Sequence, residues 1–133
     1  MTAAGTSGVF DRGAYRIQLG NVGAAAGDMA SVLNPFSEAV IVTSAVLNIT
    51  TASTGASTID VGIGTSATTA YDTLIDGHSG ATAGVFAAKG SNGLLVNLWP
   101  TTSYLTVSEA SGDVVGLAGE LIITFIPRTD AGA

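Results

Sequence analysis

The chain has 133 residues, 47% hydrophobic and 11% charged, with 18 glycines, no cysteine and a net charge of −6. An ordinary domain carries about 25% charged residues, so much of this surface is expected to meet other protein rather than water, which points to an assembly component and away from a free catalyst. The lack of cysteine excludes disulfides and thiolate–metal sites, and four scattered basic residues, Arg12, Arg16, Lys89 and Arg128, argue against nucleic-acid binding.

Residues 1–10, MTAAGTSGVF, are small and mostly polar and read as a flexible N-terminal arm. They carry no basic start and no apolar stretch of signal-peptide length, which predicts a protein made and kept in the cytosol, or leaving it only inside something larger. Tyr15, Ile17 and Leu19 alternate with Arg16, Gln18 and Gly20, a period-2 strand with one wet face. A loop follows, then a short segment from Met29 to Leu33 closed by Asn34-Pro35. From Val40 to Thr50 the chain is β-rich, but its alternation drifts: Val40 and Val42 fall on one face, Leu47 and Ile49 on the other. A bulge or bend near Thr43-Ser44 re-aims side chains in this way. The run is too short and too broken by Thr43, Ser44 and Asn48 to be a spanning helix.

The clearest strand is Thr58 to Gly64, with Ile59, Val61 and Ile63 on one face and Asp60, Gly62 and Gly64 on the other. Glycines on the second face invite close approach by a neighbouring backbone. A Thr/Ala loop, a short Thr73-Leu74-Ile75 segment and a turn at Asp76-Gly77 come next, then strands at Leu94 to Trp99, Tyr104 to Val107 and Leu117 to Ile126, ended by Pro127. The only helical candidates, Ala24 to Ala30 and a turn at Thr82 to Lys89, lack an apolar stripe. Strands every 8–12 residues with Gly/Ser/Thr punctuation predict an all-β fold, a single jelly-roll-like β-sandwich of about eight antiparallel strands over residues 11–127, followed by a C-terminal tail, 128–133. A twelve-residue core is expected: Ile17, Leu19, Leu47, Ile49, Ile59, Val61, Ile63, Leu105, Val107, Leu121, Ile123 and Phe125. An outer-membrane barrel would need an export signal and aromatic girdles, and aromatics are only 6% of the chain; no membrane partner is expected.

No residue set predicts chemistry. His78, the one histidine, lies in Asp76-Gly77-His78-Ser79-Gly80 and reads as an exposed turn residue, with no second His or Cys to complete a transition-metal site. Ser79 is not in a Gly-x-Ser-x-Gly elbow. Asp60, Asp72 and Asp76 offer the oxygen ligands that calcium takes, but not at EF-hand spacing, and Asp is common in turns. Neither Gly62-Ile63-Gly64 nor the glycines from Gly112 to Gly119 form a phosphate-cradling fingerprint. Trp99 suits either a core plug or an interface anchor, and the core is favoured. The expectation is a protein that is no enzyme, with no catalytic, cofactor or metal residues and no cofactor.

The stretch Thr50-Thr51-Ala52-Ser53-Thr54-Gly55-Ala56-Ser57-Thr58-Ile59-Asp60-Val61-Gly62-Ile63 resembles small structural proteins of tailed bacteriophages and prophages. So do Ala67 to Gly77, Gly90-Ser91-Asn92-Gly93, Trp99-Pro100 and Ala110 to Gly119, so that the resemblance runs from about Gly8 to Pro127. It rests on strand and turn signatures rather than on chemistry. It implies a virion structural protein, first of all a head decoration (cement) protein on the capsid surface, made in the host cytoplasm. The partners it implies are the major capsid protein and further copies of the chain as a homotrimer. The competing reading is a receptor- or carbohydrate-binding module of the tail, since the jelly roll is also a lectin scaffold.

Overall fold

A computed structural model describes residues 13–19, 29–87, 97–112 and 114–128. Nine strands make up the described chain: β1 (Ala14–Leu19), β2 (Ala30–Leu33), β3 (Val40–Thr51), β4 (Ser57–Gly64), β5 (Ile75–Ser79), β6 (Gly84–Ala87), β7 (Asn97–Trp99), β8 (Tyr104–Gly112) and β9 (Ala118–Pro127). They form two antiparallel sheets packed as a β-sandwich. One sheet runs β1-β9-β3-β6, with β7 also on β3; the other runs β2-β8-β4-β5. The pairing is nested: β1 with β9, β2 with β8, β3 with both β6 and β7, and β4 with β5. It is the pattern of one long hairpin whose successive pairs fall alternately into the two sheets.

Alternation of apolar and polar residues decides which side of each strand is buried. All twelve expected core residues are buried. They are joined by Met29, Phe36, Val40, Val42, Ala45, Leu74, Ile75, Trp99, Val114 and Leu117. In β3 the drifting alternation is reconciled where expected: Thr124 pairs with Ser44 but Phe125 with Val42, leaving Thr43 as an extra residue. That bulge shifts the phase, so that Val42 before it and Ala45 after it both point inward.

At one end of the sandwich the rings of Tyr15, Trp99 and Phe125 all meet Phe36, with centroid separations of 5.4, 5.6 and 4.5 Å respectively. Edge-on and offset contacts such as these suit the aromatic quadrupole. Trp99 is fully buried and its indole Nε1 donates to the carbonyl of Ser103 at 2.8 Å, so the core reading of this residue holds.

Two expectations are corrected. The turn placed at Thr82 to Lys89 contains a strand, β6, paired with Val46 to Ile49 of β3; four residues with a glycine and an alanine carry too little pattern to reveal a strand whose fit comes from its partner. The turn placed at Asp76-Gly77 is part of β5, where these two residues oppose Asp60 alone between the Ile59–His78 and Val61–Ile75 pairs. Gly77 has φ of +72°, a left-handed conformation that glycine adopts without a Cβ penalty, so the residues that resemble a turn form a bulge. The N-terminal arm, the C-terminal tail from residue 129 onward and most of the Ala24 to Ala30 candidate lie outside the described residues.

Candidate functional site

The two outward faces of the sandwich differ. Residues directly opposite one another in neighbouring strands point to the same side of a sheet. In the five-stranded sheet, Ile126 of β9 lies opposite Ile41 of β3, and Ile41 opposite Leu98 of β7. Their neighbours Phe125, Val40, Val42 and Trp99 are buried, so the three point outward as an apolar row across three strands. Ile126 is 47% exposed and Leu98 40%.

Further along the same face Ile122 stands opposite Val46, and Val46 opposite Ala87, while Asn48 faces Val85. Val85 is the most open large apolar residue among those described, at 69%. Between these rows lie hydroxyls: Thr124 shares hydrogen bonds with Thr43 (2.8 Å) and Ser44 (2.6 Å). The charged strand residues on this face, among those described, are Arg16 and Glu120, paired at 2.7 Å. The Arg16 hydrogen bond holds the Glu120 carboxyl below its ordinary range. On its described strands the face therefore mixes apolar rows with short hydroxyl side chains and one ion pair, and the exposed Arg128 follows Ile126 at its edge.

The other sheet is covered on its outward side by the chain's own loop between β4 and β5. Thr106 Oγ1 donates to the carbonyl of Thr69 (2.9 Å) and Ser31 Oγ to that of Ala67 (2.8 Å). The glycine face of β4 receives this loop closely: a Cβ on Gly62 would stand 2.6 Å from the Tyr71 backbone, and one on Gly64 would overlap the Tyr71 ring. The Tyr71 hydroxyl in turn accepts from the Ser66 amide at 3.0 Å. The expected close approach to the glycines is thus made by Tyr71.

Acidic groups gather on this covered side. The Asp60 carboxylate accepts the Gly77 amide at 2.8 Å. Burial raises its pKa, against that hydrogen bond, and the charges of Asp72 and Asp76 raise it further. Asp60 therefore lies within reach of the other two charges, yet among the described residues no three His, Asp or Glu side chains are close enough to hold a metal ion.

His78 does not sit in an exposed turn; it is a half-buried residue of β5. It lies opposite Ile59, and its ring packs against Phe86 of the other sheet with centroids 4.0 Å apart. It therefore helps close one edge of the sandwich. Its Nε2 is buried without a hydrogen-bond partner, and burial lowers its pKa. Ser79, the next residue, accepts the Ala81 amide at 3.2 Å; adjacent strand residues face opposite ways, so no serine–histidine pair is assembled. The exposed apolar row escaped the sequence reading because its members lie at positions 41, 98 and 126, and only the strand register makes them neighbours.

Comparison with protein-family models, with curated proteins and with solved structures gives no match in any of the three.

Proposed function

We propose that this chain is a non-enzymatic structural protein of a tailed-bacteriophage virion, a decoration or cement protein that binds the outside of the assembled head and stabilises it. The carrying observation is the open outer face of the five-stranded sheet, with Ile126, Ile41 and Leu98 in one apolar row. Contiguous exposed apolar surface marks interaction sites on proteins. The sequence resemblance supplies the class of assembly, and the nested strand pairing is read as the jelly-roll order expected from the number and spacing of the strands. The partners in this reading are the major capsid protein and other copies of the chain, arranged as a homotrimer, in a virion made in the host cytoplasm.

A clamp of this kind needs no chemistry. A ligand that binds the assembled shell and not its free subunits stabilises the shell by RT ln(1 + [L]/Kd), about 2.7 kcal/mol per site at a hundredfold excess over Kd. Apolar, shape-matched contact should keep its affinity in raised salt better than an ion-pair interface. The experiment is to add the purified protein to heads that lack it, then measure saturable co-sedimentation and the temperature of head rupture at low and high salt. Saturable loading and a higher rupture temperature are expected. Equal rupture temperatures overturn the cement role. Binding to host cells or glycans instead of heads would establish the tail-module reading, although Trp99, the largest aromatic available to a sugar platform, is buried.

A further inference from the structure

We infer that the Asp76-Gly77 peptide is a site of self-modification, where the chain converts Asp76 to isoaspartate through a succinimide with the Asp60 carboxylate as base. The reaction concerns the chain's own backbone and does not depend on what the protein assembles with.

Asp76 is the one aspartate in the sequence that glycine follows. Glycine has no Cβ, so its backbone nitrogen can approach the carboxyl carbon of the preceding side chain with the least hindrance. In β5 the two residues form the bulge opposite Asp60, outside the Ile59–His78 and Val61–Ile75 pairs, and both are exposed. A Cβ on Gly77 would meet nothing within 4 Å. The space beside this peptide is therefore open, both to a five-membered ring and to the water that would reopen it.

The Gly77 N–H donates to a side chain rather than to a strand carbonyl: Asp60 Oδ1 accepts it at 2.8 Å. A general base must lie within hydrogen-bond reach of the proton it takes, about 2.6–3.2 Å, and this contact meets that condition. Asp60 is also firmly placed, since its neighbours Ile59 and Val61 are fully buried in the core. Burial raises its pKa, which makes its carboxylate a stronger base than one in water.

The step balances without any further reactant. Asp76 reacts as the neutral acid and Asp60 as the anion. The Gly77 nitrogen attacks Cγ of Asp76 while Asp60 takes the amide proton. The N–Cγ bond forms, the Cγ–OH bond breaks, and Asp60 returns the proton to the departing hydroxyl, which leaves as water. Water then opens the ring at one of two carbons. Attack at Cγ restores aspartate. Attack at the main-chain carbonyl carbon of Asp76 gives isoaspartate, with the chain now running through the side-chain methylene. That adds one backbone atom between Ile75 and His78, the residues that pair with Val61 and Ile59.

The test is to age the purified full chain in mildly acidic buffer made with heavy-oxygen water, then map its peptides by mass spectrometry. Fragmentation distinguishes isoaspartate from aspartate, and each opening of the ring leaves one heavy oxygen at residue 76. Wild type should accumulate both signals at Asp76 and neither at Asp72. Asp60→Asn keeps an oxygen that can accept the Gly77 amide but removes the base. It should slow the conversion at least about tenfold, with circular dichroism and unfolding midpoint showing that the fold is kept. The same wild-type chain aged in denaturing urea, where Asp60 no longer meets Gly77, should convert more slowly than the folded protein. This comparison decides alone if Asp60→Asn does not fold. A folded Asp60→Asn that converts as fast as wild type, or a urea-unfolded chain that converts as fast as the folded one, overturns the inference.

Discussion

The side-chain amide of Asn34 donates to the backbone carbonyl of Trp99 at 2.8 Å, joining positions 65 apart in the chain. The same amide donates to the Glu38 carbonyl at 3.0 Å, and its oxygen accepts the Phe36 amide at 2.7 Å. The backbone N–H of Asn34 and the indole of Trp99 both donate to the carbonyl of Ser103. One nearly buried side chain thus fixes the turn that carries Phe36 into the aromatic cluster, and ties that turn to the strand carrying Trp99.

Asn34→Ala removes those three side-chain hydrogen bonds, two of which are buried contacts to the Phe36 amide and the Trp99 carbonyl. Leaving buried polar groups unsatisfied costs about 1–3 kcal/mol each. The midpoint of urea unfolding should fall accordingly, and near-ultraviolet circular dichroism from Trp99 should weaken. An unchanged midpoint would show that water replaces the amide freely.

Ile59→Ala should cost about 2–5 kcal/mol, from lost transfer energy plus the cavity left behind, because Ile59 is fully buried. Equilibrium denaturation measures it directly. A cost near zero would overturn the inward facing of β4.

Gly64→Ala tests how closely Tyr71 lies on β4. The added methyl overlaps the Tyr71 ring, and such overpacking costs typically about 1–3 kcal/mol. In a Tyr71→Ala background the same change should cost less, because the obstacle is gone. A double-mutant cycle reads this coupling, and strict additivity would mean that the loop moves aside.

His78 gives the stability a pH dependence whose sign follows from its surroundings. Burial lowers the folded-state pKa from the ordinary value of 6.5, so the neutral ring is the form that the fold favours. Above that value the full stability is present. Between it and the lower folded-state pKa the unfolded chain binds more protons, so stability is lost as pH falls. Asp60 acts with the opposite sign in a more acidic window, since its pKa is raised from 3.8. Melting temperatures of wild type and His78→Phe between about pH 7.5 and 5 isolate the histidine: wild type should lose more than the variant on acidification. Parallel curves would mean that water solvates the protonated ring at no cost.

Much of this fold can be read before any coordinates are known, for identifiable reasons. Period-2 alternation in β1, β4 and β9 names the inward residues, because a single register error would turn every side chain to the wrong face. The change of phase between Val42 and Leu47 locates the Thr43 bulge, and the bare face at Gly62 and Gly64 announces the approach that Tyr71 makes. β6 is not legible, since Gly84, Val85, Phe86 and Ala87 owe their conformation to β3. Asp76-Gly77 has turn chemistry and a left-handed glycine, yet tertiary pairing uses both in a bulge. His78 is misread for the same reason: its burial comes from Phe86 of the other sheet. The open apolar face depends on register between distant strands, which no local pattern contains.

The nested pairing also sets the order in which this chain can fold. Gln18 in β1 and Gly119 in β9 are 101 positions apart, and β9 is the neighbour to which β1 pairs. During synthesis at about 5–20 residues per second, β1 leaves the ribosome roughly 5–20 s before its partner strand. Ile17 and Leu19 must wait through that interval with no sheet to join, next to a growing chain rich in other strand edges. Contacts of such long sequence separation also slow refolding, towards the millisecond-to-second range of non-local β proteins. β1 is therefore the strand expected to dock last, and the one through which newly made chains are most exposed to mispairing with one another.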